Sequence, residues 1–208
     1  MPREKKAVDY IRALCSSHVE KKSALGEMLK THYEDWVNSL DLYAFLKFVE
    51  TIYENKAEIG AAQFFGKFRA YAFEEYIYRL LKSRVHVPDA LQIFWGEKCL
   101  VWKGGKGKYL MEFDISIGKK VEDYVEPSIV FDAKVELDSA RLKIAVASFA
   151  ILKKWKPNVK CVVAYIVKEV DSALLKLAWP WVDGIFQFDA KNNESEAFTK
   201  FVVKCLEY

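Results

Sequence analysis

The sequence predicts an α/β protein: a mixed β-sheet flanked by helices, with an N-terminal helical extension over residues 1–60 leading into a core over 61–208, the two forming one compact domain. Three observations carry this. Apolar residues recur at intervals of three and four through the first 82 positions. Residues 91–136 hold short runs rich in aromatic and β-branched residues, punctuated by glycine. Helical and strand patterns then alternate to the C-terminus.

In chain order, residues 4–15 place Val8, Ile11 and Leu14 on one helical face. Ser17 is positioned to cap a second helix ending near residue 29. Asp35 is positioned to cap a third, in which Trp36, Leu40, Tyr43, Ala44, Phe48 and Ile52 repeat with helical spacing. That helix is aromatic almost all round, which suits a core helix and, less simply, one also covered by a second subunit. A fourth helix spans about 61–82. Runs 91–95 and 99–103 are expected to pair as a hairpin through Gly96-Glu97-Lys98. The glycine- and lysine-rich turn over 103–108 leads to a strand over 109–117. Gly118 and an acidic loop ending at Pro127 lead to a strand over 128–136, completing an antiparallel meander. Asp138 or Ser139 caps a helix ending near Trp155, and Pro157 stops it. Next come a strand over 159–167, apolar on both faces as a central strand should be, and a short helix from Asp171. A strand over 184–188 and a helix from about Glu194 finish the chain.

With 52% apolar and 29% charged residues, the chain has enough hydrophobic surface for a full core. No apolar stretch reaches the roughly 18 residues that span a bilayer, so no membrane association is expected. The first ten residues are basic without an apolar run behind them, which argues against a secretory signal. Cys15, Cys99, Cys161 and Cys205 are widely spaced, matching neither a zinc site nor a disulfide framework. A reducing, cytoplasmic (intracellular) setting follows. Net charge is only +3, but lysines cluster at 103, 106 and 108, at 119–120, and at 153, 154, 156 and 160. Such patches can follow a phosphate backbone, or simply be solvated.

Asp132-Ala133-Lys134 closes the apolar run Ile129-Val130-Phe131, and Asp114 interrupts an earlier one. Side chains alternate along a strand, so Asp132 and Lys134 share a face, roughly 7 Å apart along the chain. Charges at positions where a sheet wants apolar residues are costly unless paired or metal-bound. If the strands over 109–117 and 128–136 pair, Asp114 lies beside Asp132. Two such carboxylates suit Mg²⁺ (or Mn²⁺), and with a nearby lysine they are what metal-assisted phosphodiester hydrolysis requires. The simpler account is a polar face with incidental ion pairs among Lys134, Asp114 and Glu136.

An acidic residue in one strand, Asp/Glu-x-Lys in the next, and a preceding helix bearing Glu within Phe73-Glu74-x-x-Ile77-x-x-Leu80-Leu81 together resemble the PD-(D/E)XK nuclease superfamily. That group includes many restriction endonucleases and the archaeal Holliday junction resolvases. The resemblance covers about residues 61–167, and Phe113 stands where that family often has proline. It implies a restriction-endonuclease-like fold and a catalytic set of Glu74, Asp114, Asp132 and Lys134. By the same resemblance Glu74, Asp114, Asp132 and the backbone carbonyl of Ala133 would ligate the metal. Small nucleases of this kind also occur in archaeal viruses, and a composition rich in Lys and Glu suits such an origin.

Other positions compete. Asp/Glu-x-Lys also occurs at Glu4-Lys5-Lys6, Glu20-Lys21-Lys22 and Glu54-Asn55-Lys56, all in expected helices. Phe188-Asp189-Ala190-Lys191 ends an apolar strand but is followed by a turn signal, Asn192-Asn193. Glu75 could stand in for Glu74, and Glu112 and Glu136 could be accessory ligands. His18, His32 and His86 have no spacing for metal or triad chemistry. Gly104-Gly105-Lys106-Gly107 lacks the P-loop spacing. Trp179-Pro180-Trp181 reads as a packed turn. The expectation is therefore a divalent-metal-dependent DNA endonuclease acting as a homodimer, structure-selective on branched DNA such as Holliday junctions. The alternative is a DNA-binding or assembly protein that keeps the fold without turnover.

Overall fold

The computed structural model describes residues 6–105 and 107–207. Glu4, Lys5 and Lys106, which figured in the expected first helix, one Asp/Glu-x-Lys match and a lysine cluster, lie outside the described residues. Helices α1 (Ala7–Cys15), α2 (Glu20–Ser39), α3 (Leu42–Glu54), the single turn α4 (Lys56–Ile59) and α5 (Ala62–Arg84) come first. Strands β1 (Gln92–Trp95), β2 (Lys98–Gly104), β3 (Gly107–Glu112), β4 (Ile115–Val121) and β5 (Tyr124–Leu137) follow. The chain ends with α6 (Ser139–Trp155), β6 (Lys160–Lys168), α7 (Ser172–Ala178), β7 (Gly184–Gln187) and α8 (Ser195–Leu206). No described helix is long and apolar enough to cross a membrane.

The 14-residue β5 is the spine of a seven-stranded mixed sheet. On one side it pairs antiparallel with β4, from Val121↔Tyr124 to Ile115↔Phe131, and β1 lies beyond β4. On the other side it meets β2 at Cys99↔Val125, then pairs in parallel with β6 from Ile129↔Lys160 to Leu137↔Lys168. β3 lies beyond β2, and β7 beyond β6. Alternation along β5 fills two cores. Ile129, Phe131, Ala133 and Val135 join α1–α3, α5 and α8, whereas Val130 joins α6 and α7. Asp132 and Lys134 share the parity of Val130 and so point away from α5.

Four expectations are corrected. First, α2 runs unbroken past residue 29 and past Asp35 to Ser39, and Val19 rather than Ser17 precedes its first turn. The break falls at Leu40, whose φ of 51° reverses the chain, and Asp41 caps α3 by accepting from the Ala44 N–H at 2.8 Å. Continuity through Trp36 holds its fully buried ring against Phe45 and Tyr76, with centroids 5.4 and 6.0 Å away. Second, β1 and β2 form no hairpin. Gly96 has φ of 65° and gives its N–H to the carbonyl of Asp114 (2.9 Å), so β1 joins β4 instead. The strands up to 137 therefore do not form a simple meander.

Third, the strand expected over 109–117 breaks at Phe113-Asp114 into β3 and β4. Phe113 swings against Phe149 of α6, with stacked rings 6.2 Å apart. Fourth, the expected acidic loop is itself strand: β4 passes through Gly118, Glu122 turns with φ of 50°, and β5 begins at Tyr124. Gly118 is opposite Pro127, where a Cβ would sit 2.2 Å from the Glu126 carbonyl oxygen. In addition, Trp179 and Trp181 are 56% and 41% exposed, so that turn is not packed. All four cysteines are free thiols, and Cys99 and Cys161 are buried.

Candidate active site at the fork of the sheet

β4 and β5 part after Ile115↔Phe131, while β5 continues along β6 to Leu137. Continued register would place residue 113 opposite Ala133, but Phe113 has left the sheet. Asp114 fills the gap: its Oδ2 accepts from the Ala133 N–H at 2.9 Å. A backbone donor that lost its strand partner thus receives a carboxylate. The same Oδ2 accepts from Nζ of Lys134 at 3.1 Å. Nζ also lies 2.7 Å from Oδ1 of Asp132. Asp114, Asp132 and Lys134 therefore meet at the fork, each side chain 16–24% exposed.

The electrostatics follow from that crowding. Burial pushes the Asp132 carboxyl up to about 6; Lys134 works against the shift and Asp114 adds to it. Burial alone would lower Lys134, but the two aspartates outweigh it and its amine is held above the usual lysine range. Oδ1 of Asp132 is buried, and the cation that faces it is the Lys134 ammonium.

Glu74 is 3% exposed and belongs to the α5 layer, where its Oε2 accepts from the indole N–H of Trp95 at 3.0 Å. Among the described residues, no group of three or more His, Cys, Asp or Glu is gathered closely enough to hold a metal. Two aspartates are enough for Mg²⁺, which takes one or two carboxylates and completes its shell with water and phosphate oxygens. The donor set at the fork fits on that count.

Two arginines near the fork escaped the sequence reading. Glu136, one alternation beyond Lys134, pairs with Arg69 of α5 and lies 3.7 Å from Arg141 of α6. Arg141 is 43% exposed and also bonds Asp138, the α6 cap, at 3.1 Å. Neither arginine sits in a recognisable motif; only the helix cap at Asp138, three residues before Arg141, hinted at its place. Several lysines expected to be free are paired: Lys108 with Asp123, Lys120 with Glu97, and Lys153 and Lys160 with Asp183. Glu75 is occupied by Tyr33 and Arg79. Asp189 closes its own turn, accepting from the N–H groups of Lys191 and Asn192, which removes that rival. His32 bonds the hydroxyl of Thr51.

No protein-family model matches the sequence, and no curated protein matches it. Among solved structures, the chain is similar to the restriction endonuclease BbvCI, determined as a native A2B2 tetramer. The TM-score is 0.53 at 11% identity, over 93% of this chain and 86% of that one. The fold is therefore restriction-endonuclease-like: a mixed seven-stranded sheet flanked by helices.

Proposed function

We propose that this restriction-endonuclease-like chain is a divalent-metal-dependent DNA endonuclease whose catalytic residues are Asp114, Asp132 and Lys134, with Glu74 in support. The observation that carries the reading is the convergence of two aspartates on one lysine amine where the sheet forks. Asp114 and Asp132 would hold Mg²⁺ or Mn²⁺ together with the Ala133 carbonyl. When bound, such a cation supplies Lewis acidity to water and positive charge to the scissile phosphate. Lys134 lies between the two aspartates, so its amine is placed to act as a donor to phosphoryl oxygens. Asp114 fixes the site to the backbone through Ala133. Glu74 buttresses it from the opposite layer through Trp95, whose strand ends beside Ile115.

Branched DNA cut by a homodimer is the substrate and assembly we favour, because paired cuts need two sites related by a twofold axis. A second reading, binding without turnover, draws on the ion triplet itself: a lysine already shared by both acids is also a stable structural device. The deciding experiment incubates the protein with plasmid, a four-way junction and single-stranded DNA in Mg²⁺, Mn²⁺ or EDTA. Metal-dependent cutting lost in Asp132→Ala and Lys134→Ala is expected. Cutting that survives in Asp132→Ala rejects the assignment, and binding without cutting establishes the second reading.

A further inference from the structure

A concavity opens on the α5 side of the sheet edge, a cleft of about 610 Å³, within the roughly 300–1,000 Å³ of small-ligand sites. It is too small for a duplex. Tyr78 and Trp95 form one wall, with ring centroids 5.7 Å apart. Nζ of Lys82 lies 5.2 Å from the Tyr78 ring, and Nζ of Lys6 lies 5.8 Å from that of Trp95. Of the charged groups lining it, Glu75 is paired with Arg79 and Glu97 with Lys120. Lys6 and Lys82 have no carboxylate partner among the described residues, so the rim carries two unneutralised cations over aromatic faces.

We infer that this cleft binds one unpaired nucleotide of a nucleic-acid strand. Tyr78 and Trp95 offer the stacking surface, and Lys6 and Lys82 leave the rings to meet the adjoining phosphates. The cleft also connects to the fork. Trp95 donates to Glu74, and the next residue, Gly96, donates to the Asp114 carbonyl. An unpaired nucleotide held here would set the strand relative to Asp114 and Asp132, so the inference rests on the nucleic-acid reading above and names its substrate class: DNA with unpaired bases at a branch or gap.

The test measures binding in EDTA with Asp132→Asn, so that no cutting enters the readout. A short oligo-dT strand is compared with a blunt dA·dT duplex of the same length by fluorescence anisotropy, with dTMP as a free-nucleotide competitor. Tyr78→Ala should weaken the single strand roughly tenfold and leave the duplex unchanged. Tyr78→Phe should restore it, and the exposed Lys82→Ala should weaken the strand and flatten its salt dependence. An unchanged single-strand affinity in both Tyr78→Ala and Lys82→Ala, or an equal loss on the duplex, overturns the inference. Competition by dTMP at the concentration of strand would also overturn it, as a free-nucleotide site. Metal-dependent cutting together with unchanged strand binding in these variants would sink the cleft and leave the nuclease standing; variant-sensitive strand binding without cutting would do the reverse.

Discussion

Lys134 decides how the fork titrates. Its ammonium favours the Asp132 anion, yet burial still lifts that carboxyl to about 6. In the proposed nuclease the metal would need Asp132 ionised, so cleavage should fall as pH drops through about 6, and Asp132→Asn should be inactive at every pH. A pH–rate profile with no acidic limb near 6 would contradict this. Stability responds in the opposite sense. A carboxyl raised from 3.8 in the unfolded chain to about 6 when folded binds its proton more tightly in the native state. Its contribution to stability is therefore present below about 4 and is lost as pH rises to about 6. Thermal melts of the wild type against Asp132→Asn across pH 4–6 should diverge as pH rises, the wild type losing ground. Lys134→Ala should lower cleavage by roughly 10²–10³-fold, the range for removing one donor to developing charge. Glu74→Gln, acting one layer away, should lose less in a parallel single-turnover assay.

Elements whose ends are marked locally were legible in the sequence. The helix over residues 139–155 has an aspartate cap, bonded to the Arg141 N–H at 2.8 Å, and a proline two residues past its end. The helix after Asp171 is likewise capped, by a bond to the Ala173 N–H. Elements set by distant partners were not. The Leu40 reversal follows from burying Trp36 against Tyr76, 40 residues on, which no local window reports. The split at Phe113 follows from an aromatic partner on α6. The residues of the fork were legible because charge inside an apolar run stands out, whereas Arg69 and Arg141 merely continue ordinary helix surfaces. Asp41→Ala removes the α3 cap and should cost about 1 kcal/mol in a urea melt. Gly118→Ala forces a Cβ onto the Glu126 carbonyl and should cost more, about 1–3 kcal/mol, with β4–β5 as the damaged pair. A Gly118→Ala protein as stable as wild type would show that the β4–β5 register has slack.

At the scale of the molecule, the first three helices share their core with the sheet. Tyr10 stacks on Phe68 at 5.1 Å, Phe45 on Tyr76 at 4.4 Å, and Phe73 meets Phe188 at 5.8 Å. Residues 6–60 therefore act as one wall of the α5 layer. A chain starting at residue 61 would expose Phe68, Phe73 and Tyr76, and should aggregate or melt without cooperativity. A soluble, cooperatively folding fragment would instead make those helices an independent extension. For the proposed homodimer, sedimentation should give twice the 24.1 kDa chain mass; a monomer that still cuts both strands of a junction would remove the twofold argument.

Asp114 holds two offices, while its neighbour holds one. Asp114 closes the backbone where a strand peels away, whereas Asp132 relieves no such gap and sits in its place at a cost. A lineage released from selection for chemistry should therefore shed Asp132 early and keep Asp114. Descendants that have lost the first and retained the second would be the fossils of an abandoned enzyme.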